Sequence, residues 1–262
     1  MEYHERLIPG NSDWRENIAG HMQRYRFAGQ FVAGKRVLDA GCGVGYGCGI
    51  LQRAGASEVV GVDISEEALD IARKQFCRPG IRFVHGDCES LDPGEGNFDA
   101  IVALESLEHL PQPRNFLSRA RNLLHGSGVL VCSTPNDRLT QPVNGRPRNP
   151  YHVHEYALEE FRALLADFFS DTLLLGQCYT AAYLEVMRLW QMRSNPAVRI
   201  GQLLQRLRFG EAPPVPPIMP TEGDYVISEA NLEDAMVFLA VCRHPCKGAT
   251  NVGPGLLGPG TT

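Results

Sequence analysis

No apolar run in the 262-residue chain approaches the roughly 20 residues that cross a bilayer as a helix. The longest runs, near 126–133 and 235–242, are strand-sized. The N-terminus shows no charged-then-apolar leader. Positive charge is not in excess: 25 Lys and Arg stand against 30 Asp and Glu, a net charge of −5. Sequence-independent nucleic-acid binding needs a basic face, so it is not expected. Internal repeats are absent. The eight cysteines lie scattered in apolar surroundings, as reduced, buried thiols do. "CRHPC" at 242–246 lacks a second ligand pair at zinc spacing. These absences lead to the expectation of a cytoplasmic protein with neither membrane nor nucleic acid as partner.

What is present is a core-forming chain, 44% hydrophobic, enough for one sizeable domain. A helix is expected from Ser12, ending near Gly34. "RVLDAG" reads as a short buried strand, and "GCGILQRAG" continues its glycine loop into a helix. "EVVGVDIS" is a second strand, followed by a helix capped by Ser65 with Glu66 and Glu67 in its first turn. "IRFVHGD" and "FDAIVAL" are the third and fourth strands. A helix is expected over "RNFLSRARNLLHGSG", then a fifth strand, "GVLVCSTPN". Strand cores that are continuously apolar and alternate with helices indicate a parallel sheet covered on both faces. A polar loop follows, then a helix "ALEEFRALLADFF", a strand "DTLLLGQCY", a helical insertion over about 180–230, and a last strand "EDAMVFLAVCRH". One domain over 1–246 is expected, with 247–262 a disordered tail.

The stretch "RVLDAGCGVGYGCGIL" places glycines at 41, 43, 45 and 47 between strand and helix. Glycines let a ligand approach the backbone, and a helix start offers unpaired N–H groups. No lysine follows them, which excludes a triphosphate loop of the GxxxxGK[ST] kind. No register satisfies GxGxxG: the closing position is Tyr46, Cys48 or Ile50. Asp39, just before the loop, suits a cationic ligand better than a pyrophosphate.

"VLDAGCGVGYG" resembles the first motif of class I S-adenosylmethionine-dependent methyltransferases, and the chain is similar to their type 11 and type 12 small-molecule group. Asp63, 18 residues after Gly45, ends "VVGVDIS"; Asp87 ends the third strand in "HGDCESL". "FDAIVALESLEHL" and "GSGVLVCSTPN" follow in the family's order, over roughly residues 20–175. The resemblance implies a doubly wound, seven-stranded, mostly parallel sheet. It implies that Gly41, Gly43 and Gly45 hold the methionine part, Asp63 the ribose and Asp87 the adenine region. Asp39, Ile64, Cys88 and Leu104 count with them as cofactor-binding. Arg24 and Tyr25, on one face of the first helix with His21, are placed to pair with the methionine carboxylate and to pack over the cofactor. The cofactor would be S-adenosyl-L-methionine, with S-adenosyl-L-homocysteine as product.

Two clusters could assist the chemistry. "ESLEHL" carries Glu105, Glu108 and His109, which share a face if the segment is a helical turn. Quinone-pathway O-methyltransferases have a similar E-x-x-E-H, and some are metal-dependent. Here a structural turn is favoured over a divalent metal site. "NPYHVHEY" carries His152, His154, Glu155 and Tyr156 on a loop expected to cross the carboxyl edge of the sheet. "STPN... NPYHVHEYALEEFRALL" resembles bacterial small-molecule and saccharide-pathway methyltransferases. His109 or His152 would be the base for an oxygen acceptor. Arg188, Arg193, Arg199, Arg206 and Arg208 in the insertion suit a lid, an oligomer contact or a solvated face. The expected function is O-methylation of a small molecule of a saccharide or natural-product pathway. The alternatives are N- or C-methylation, or cofactor binding without transfer. A homodimer is possible.

Overall fold

The computed structural model describes residues 12–90, 97–194 and 219–245. Six strands run in one direction: β1 (Arg36–Ala40), β2 (Glu58–Asp63), β3 (Ile81–His85), β4 (Phe98–Ala103), β5 (Leu124–Pro135) and β6 (Phe169–Tyr179). Two run against them, β7 (Tyr225–Ser228) and β8 (Val237–Pro245). The sheet order is β3-β2-β1-β4-β5-β8-β6-β7.

Alternate residues of the inner strands feed two separate cores. Leu38, Ala40, Val60, Ile101 and Leu130 face one side, where α4 (Pro113–Leu123) and α6 (Leu158–Ala166) bring Phe116, Leu117, Phe161 and Leu165. Val37, Val59, Ala100, Val102 and Val129 face the other, against Tyr25 and Ala28 of α1 (Ser12–Ala28), Leu51 of α2 (Tyr46–Arg53) and Leu69 of α3 (Glu66–Phe76). Burial on both faces is why these strands read as continuous apolar runs. Each fully buried leucine or phenylalanine contributes roughly 1.5–3 kcal/mol. Ser65 caps α3 as expected, its hydroxyl accepting from the Ala68 N–H at 3.3 Å.

Three expectations need correction. The sheet has eight strands, not seven. The extra one, β7, lies at the end of the expected insertion and pairs with the outer edge of β6. The chain leaves the α4 helix at Leu123, and Leu124 already pairs with Phe98; residues 125–128 bulge before Val129 meets Ala100. The expected helix to Gly34 ends at Ala28 in a 3-10 turn, Gly29–Phe31. Within the insertion, α7 (Ala181–Ser194) is helical as expected. Residues 195–218, with Arg199, Arg206 and Arg208, lie outside the described residues, as do the tail and Cys246. The seven described cysteines are free thiols. Among the described residues no helix is long and apolar enough to cross a membrane.

Candidate active site

The sheet order reverses between β1 and β4, which opens a crevice at their carboxyl ends. The chain must turn there within residues 41–45. Gly41 and Cys42 donate their N–H groups to the Val62 carbonyl at 2.8 and 2.9 Å. Gly43 donates to Asp63 Oδ2 at 2.8 Å, and Ser65 N–H donates to Asp63 Oδ1 at 2.9 Å. Asp63, buried at the end of β2, therefore ties the loop to the start of α3. Next to it the apolar side chain of Ile64 is 61% exposed. Asp87 Oδ1 accepts from Glu89 N–H at 2.9 Å and starts the 3-10 turn Cys88–Ser90. Burial pushes the Cys88 thiol up to about 12. Leu104 is buried at the exit of β4. All these sequence-derived positions thus gather at one edge of the sheet.

Helix α1 closes over this edge. The Tyr25 ring lies against Gly47, where a Cβ would come within 2.1 Å of Tyr25 Cζ. Its hydroxyl reaches the two Asp39 oxygens at 3.1 and 3.3 Å, and the Cys48 thiol donates to Asp39 Oδ2 at 3.2 Å. Asp39 is fully buried. Burial pushes its carboxyl up to about 7, and the nearby Asp63 adds to the push. Arg24, also buried, donates to Gln177 Oε1 and lies 3.7 Å from Glu105 Oε2. Its Nε has no hydrogen-bond partner among the described residues. Burial lowers His21 well below its usual range, keeping the ring neutral, and its Nδ1 lies 2.7 Å from the Tyr46 hydroxyl. Gln177 was not among the expected residues. A lone amide inside the apolar "LLLGQCY" was its only signal. It donates to the Gly20 carbonyl at 2.9 Å and to Gln23 Oε1 at 2.7 Å, fixing α1 to β6.

The E-x-x-E-H segment differs from its expected form. Only Leu107–His109 is helical, as a single 3-10 turn. Glu105 precedes it with a left-handed φ of 51°, so the helical-face argument fails. Its carboxylate accepts from Ser133 Oγ at 2.7 Å and faces Arg24. The set brought together is instead Glu108, His109 and His152, whose candidate ligand atoms lie within 4.8 Å of one another. Glu108 is fully buried, and neither carboxyl oxygen has a hydrogen-bond partner among the described residues. Burial and the charge of Glu105 raise its pKa well above the usual carboxylate range. The loop carrying His152 is held here because Val153 and His154 donate their N–H groups to the Glu108 carbonyl. His109 Nδ1 meets the Tyr151 carbonyl at 3.0 Å, and the His109 and His152 rings meet edge to face at 4.9 Å. His154 pairs instead with Glu160, half-exposed.

Residues 38–132 match a family model described as a methyltransferase domain. A protein of Mycolicibacterium smegmatis named "Probable S-adenosylmethionine-dependent methyltransferase" is 33% identical over 161 residues, 62% of this chain and 62% of that protein. Residues 38–132 are thus similar to a methyltransferase domain. A ubiquinone biosynthesis O-methyltransferase of Aromatoleum aromaticum is 34% identical over 133 residues, 50% of this chain and 52% of that protein. The chain thus spans less than two thirds of the length of these relatives. The crystal structure of an S-adenosylmethionine-dependent methyltransferase from Mesorhizobium loti shares the fold, with a TM-score of 0.53 and 20% identity over 91% of this chain and 100% of that one.

The names of the Mycolicibacterium and Mesorhizobium proteins carry S-adenosylmethionine as cofactor, and the residues present here suit it. A Cβ on Gly43 would meet nothing within 4 Å, so the loop faces open space. Asp39 offers an anion to a sulfonium and ammonium, the Arg24 Nε a donor to a carboxylate, and Ile64 an apolar surface to a base.

Proposed function

We propose that the chain transfers a methyl group from S-adenosylmethionine to a hydroxyl oxygen of a small molecule of a saccharide or natural-product pathway. We take residues 1–246 as one catalytic unit. The observation that carries this reading is the gathering of Asp39, the glycine loop, Asp63 and Asp87 at one sheet edge, with His109 and His152 beside the exit of β4. When bound, the cofactor supplies an electrophilic methyl on a sulfonium. Asp63 takes the ribose hydroxyls while keeping the loop amides, since a carboxylate oxygen accepts more than one hydrogen bond. Arg24 takes the methionine carboxylate, and Tyr25 and α1 exclude water. An imidazole of His109 or His152 receives the acceptor proton. The O-methyltransferase name of one group of relatives supports oxygen as acceptor atom.

Calorimetric titration with S-adenosylhomocysteine tests the cofactor site. Micromolar binding is expected, weakened at least about thirtyfold in Asp63→Ala, the worth of a charge-assisted pair of hydrogen bonds. A native chain that binds none sinks the proposal. Labelled-methyl transfer to a panel of sugars, phenols and amines then reads the acceptor atom. Label confined to amines would replace oxygen by nitrogen.

One observation favours a second reading, in which a divalent cation assists transfer. A buried carboxyl group whose oxygens lack hydrogen-bond partners among the described residues, beside two imidazoles, is a costly arrangement that a cation with nitrogen and oxygen ligands relieves. Zinc titrated into chelator-treated protein is expected to bind at least tenfold more weakly in Glu108→Gln. Equal affinities in the two proteins would end this reading.

A further inference from the structure

His152 is held at both nitrogens. Asn149 Nδ2 lies 2.9 Å from Nε2, and an amide nitrogen only donates, so Nε2 accepts. The Asn149 side chain is oriented in turn by the Tyr151 N–H, which donates to its Oδ1 at 3.1 Å. The proton therefore sits on Nδ1, which donates to Glu155 Oε1 at 2.6 Å. The Glu155 side chain is 1% exposed and that of His152 11% exposed. Thr140 donates its hydroxyl to the other oxygen, Glu155 Oε2. The carboxylate is anchored as well. Asn136 and Tyr156 form a bridge beside it, Asp137 N–H donates to the Tyr156 carbonyl at 3.2 Å, and Asn136 donates to the Ala235 carbonyl at 2.7 Å. A buried carboxylate, fixed by the end of β5 and aimed at one imidazole nitrogen, is more than a loop pin needs.

We propose that Glu155 is the positioning residue of His152: it fixes the Nδ1–H tautomer, aims Nε2 at the acceptor, and stabilises the imidazolium formed during transfer. The inference rests on the reading of His152 as base. As the acceptor oxygen gains the methyl group, its proton passes to Nε2. The positive charge lost from the sulfonium, which leaves as a neutral thioether, reappears on the imidazole beside the Glu155 carboxylate. The Asn149 amide holds the place that the acceptor hydroxyl takes. A carboxylate that orients a base without receiving its proton is the logic of the hydrolase triads, carried here by a Thr–Glu–His chain.

Nitrogen-15 NMR of the imidazoles in chelator-treated protein at pH 8 tests it without cofactor or acceptor. The native His152 is expected as Nδ1–H. Glu155→Ala is expected to move it towards Nε2–H, and Asn149→Ala to leave it unchanged. Glu155→Gln, which keeps the volume, decides the matter if the Ala variant loses the Val153 and His154 amide signals; a reduced Nδ1–H population is expected. A native Nε2–H tautomer overturns the proposal, as does a tautomer that follows Asn149 and ignores Glu155. With a hydroxyl acceptor from the labelled-methyl panel, Glu155→Gln is expected to lower kcat about a hundredfold and leave S-adenosylhomocysteine affinity within about twofold. An unchanged kcat overturns it too. Failure of the native chain to bind S-adenosylhomocysteine sinks the methyltransferase reading instead, and the tautomer still reports on Glu155.

Discussion

Asp39→Asn is expected to melt well above the native chain at pH 8 and to match it near pH 4. Asp39 is fully buried, and the groups donating to it, the Tyr25 phenol and the Cys48 thiol, are both neutral. Asp63 across the loop repels its charge. The folded carboxyl therefore releases its proton only at about 7, against roughly 3.9 in an unfolded chain. Between these values the unfolded state holds fewer protons than the folded one, so stability falls as pH rises. The loss builds from about pH 4 and levels off above about 7, at roughly 4 kcal/mol for a shift of this size. Asparagine keeps the shape and carries no charge, so its advantage should grow through the same window. The variant should also lose affinity for S-adenosylhomocysteine at pH 8, by about tenfold to a hundredfold, because the ligand ammonium loses its anion. In the native protein that affinity should rise with pH up to about 7, by at most about tenfold per unit. Thermal melts at pH 4, 6 and 8 with calorimetry on both proteins check this. An Asn variant no more stable than native at pH 8 would show that Asp39 is charged and compensated in the resting protein.

Position at strand ends explains why the setting of the candidate site is legible in sequence while parts of its surroundings are not. Asp39, Gly43, Asp63 and Asp87 sit at or just beyond strand ends, and strand ends are marked by long apolar runs stopping at polar residues. Once a parallel sheet is inferred, its carboxyl edge collects them whatever the packing details. Helical spacing misplaces Glu105, because at φ 51° its own backbone leaves the helix. The partner set of Glu108 changed for the same reason: His152 comes from a loop more than forty residues on, held by the Glu108 carbonyl, and no local pattern encodes that contact. β7 is not legible in sequence because "YVIS" is four residues on a sheet edge with Val226 exposed. So short a run carries little periodicity. The anchoring of α1 through Gln177 and Tyr225, more than 150 residues away, belongs to tertiary structure alone.

Two glycines of the loop should fail in opposite ways, and the contrast separates packing from ligand binding. Gly45 has φ 85°, and a Cβ there would lie 2.8 Å from both the Ala72 Cβ and the Phe83 ring. Gly45→Ala thus adds left-handed strain of roughly 1–2 kcal/mol to overpacking of typically 1–3 kcal/mol. The methyl would meet Ala72, which is fully buried, and the partly buried Phe83 ring, which packs against the core. An overall loss of about 3 kcal/mol is expected, read as a lower urea midpoint with unchanged slope. Gly43 has φ 52°, and a Cβ there would meet nothing within 4 Å. Gly43→Ala should cost only the strain of roughly 1–2 kcal/mol, since the N–H that reaches Asp63 Oδ2 is kept. Its methyl group, however, projects into the space proposed for the cofactor. S-adenosylhomocysteine affinity should therefore fall at least about thirtyfold in a protein that remains folded, the fold-equivalent of about 2 kcal/mol of lost contact and clash. Equal binding by Gly43→Ala and the native chain would mean that the ligand does not pass over residue 43, and the open face of the loop would need another occupant. Loss of binding by Gly45→Ala with no loss of stability would instead show that the loop can yield at its helix end, against the packing of Ala72 and Phe83.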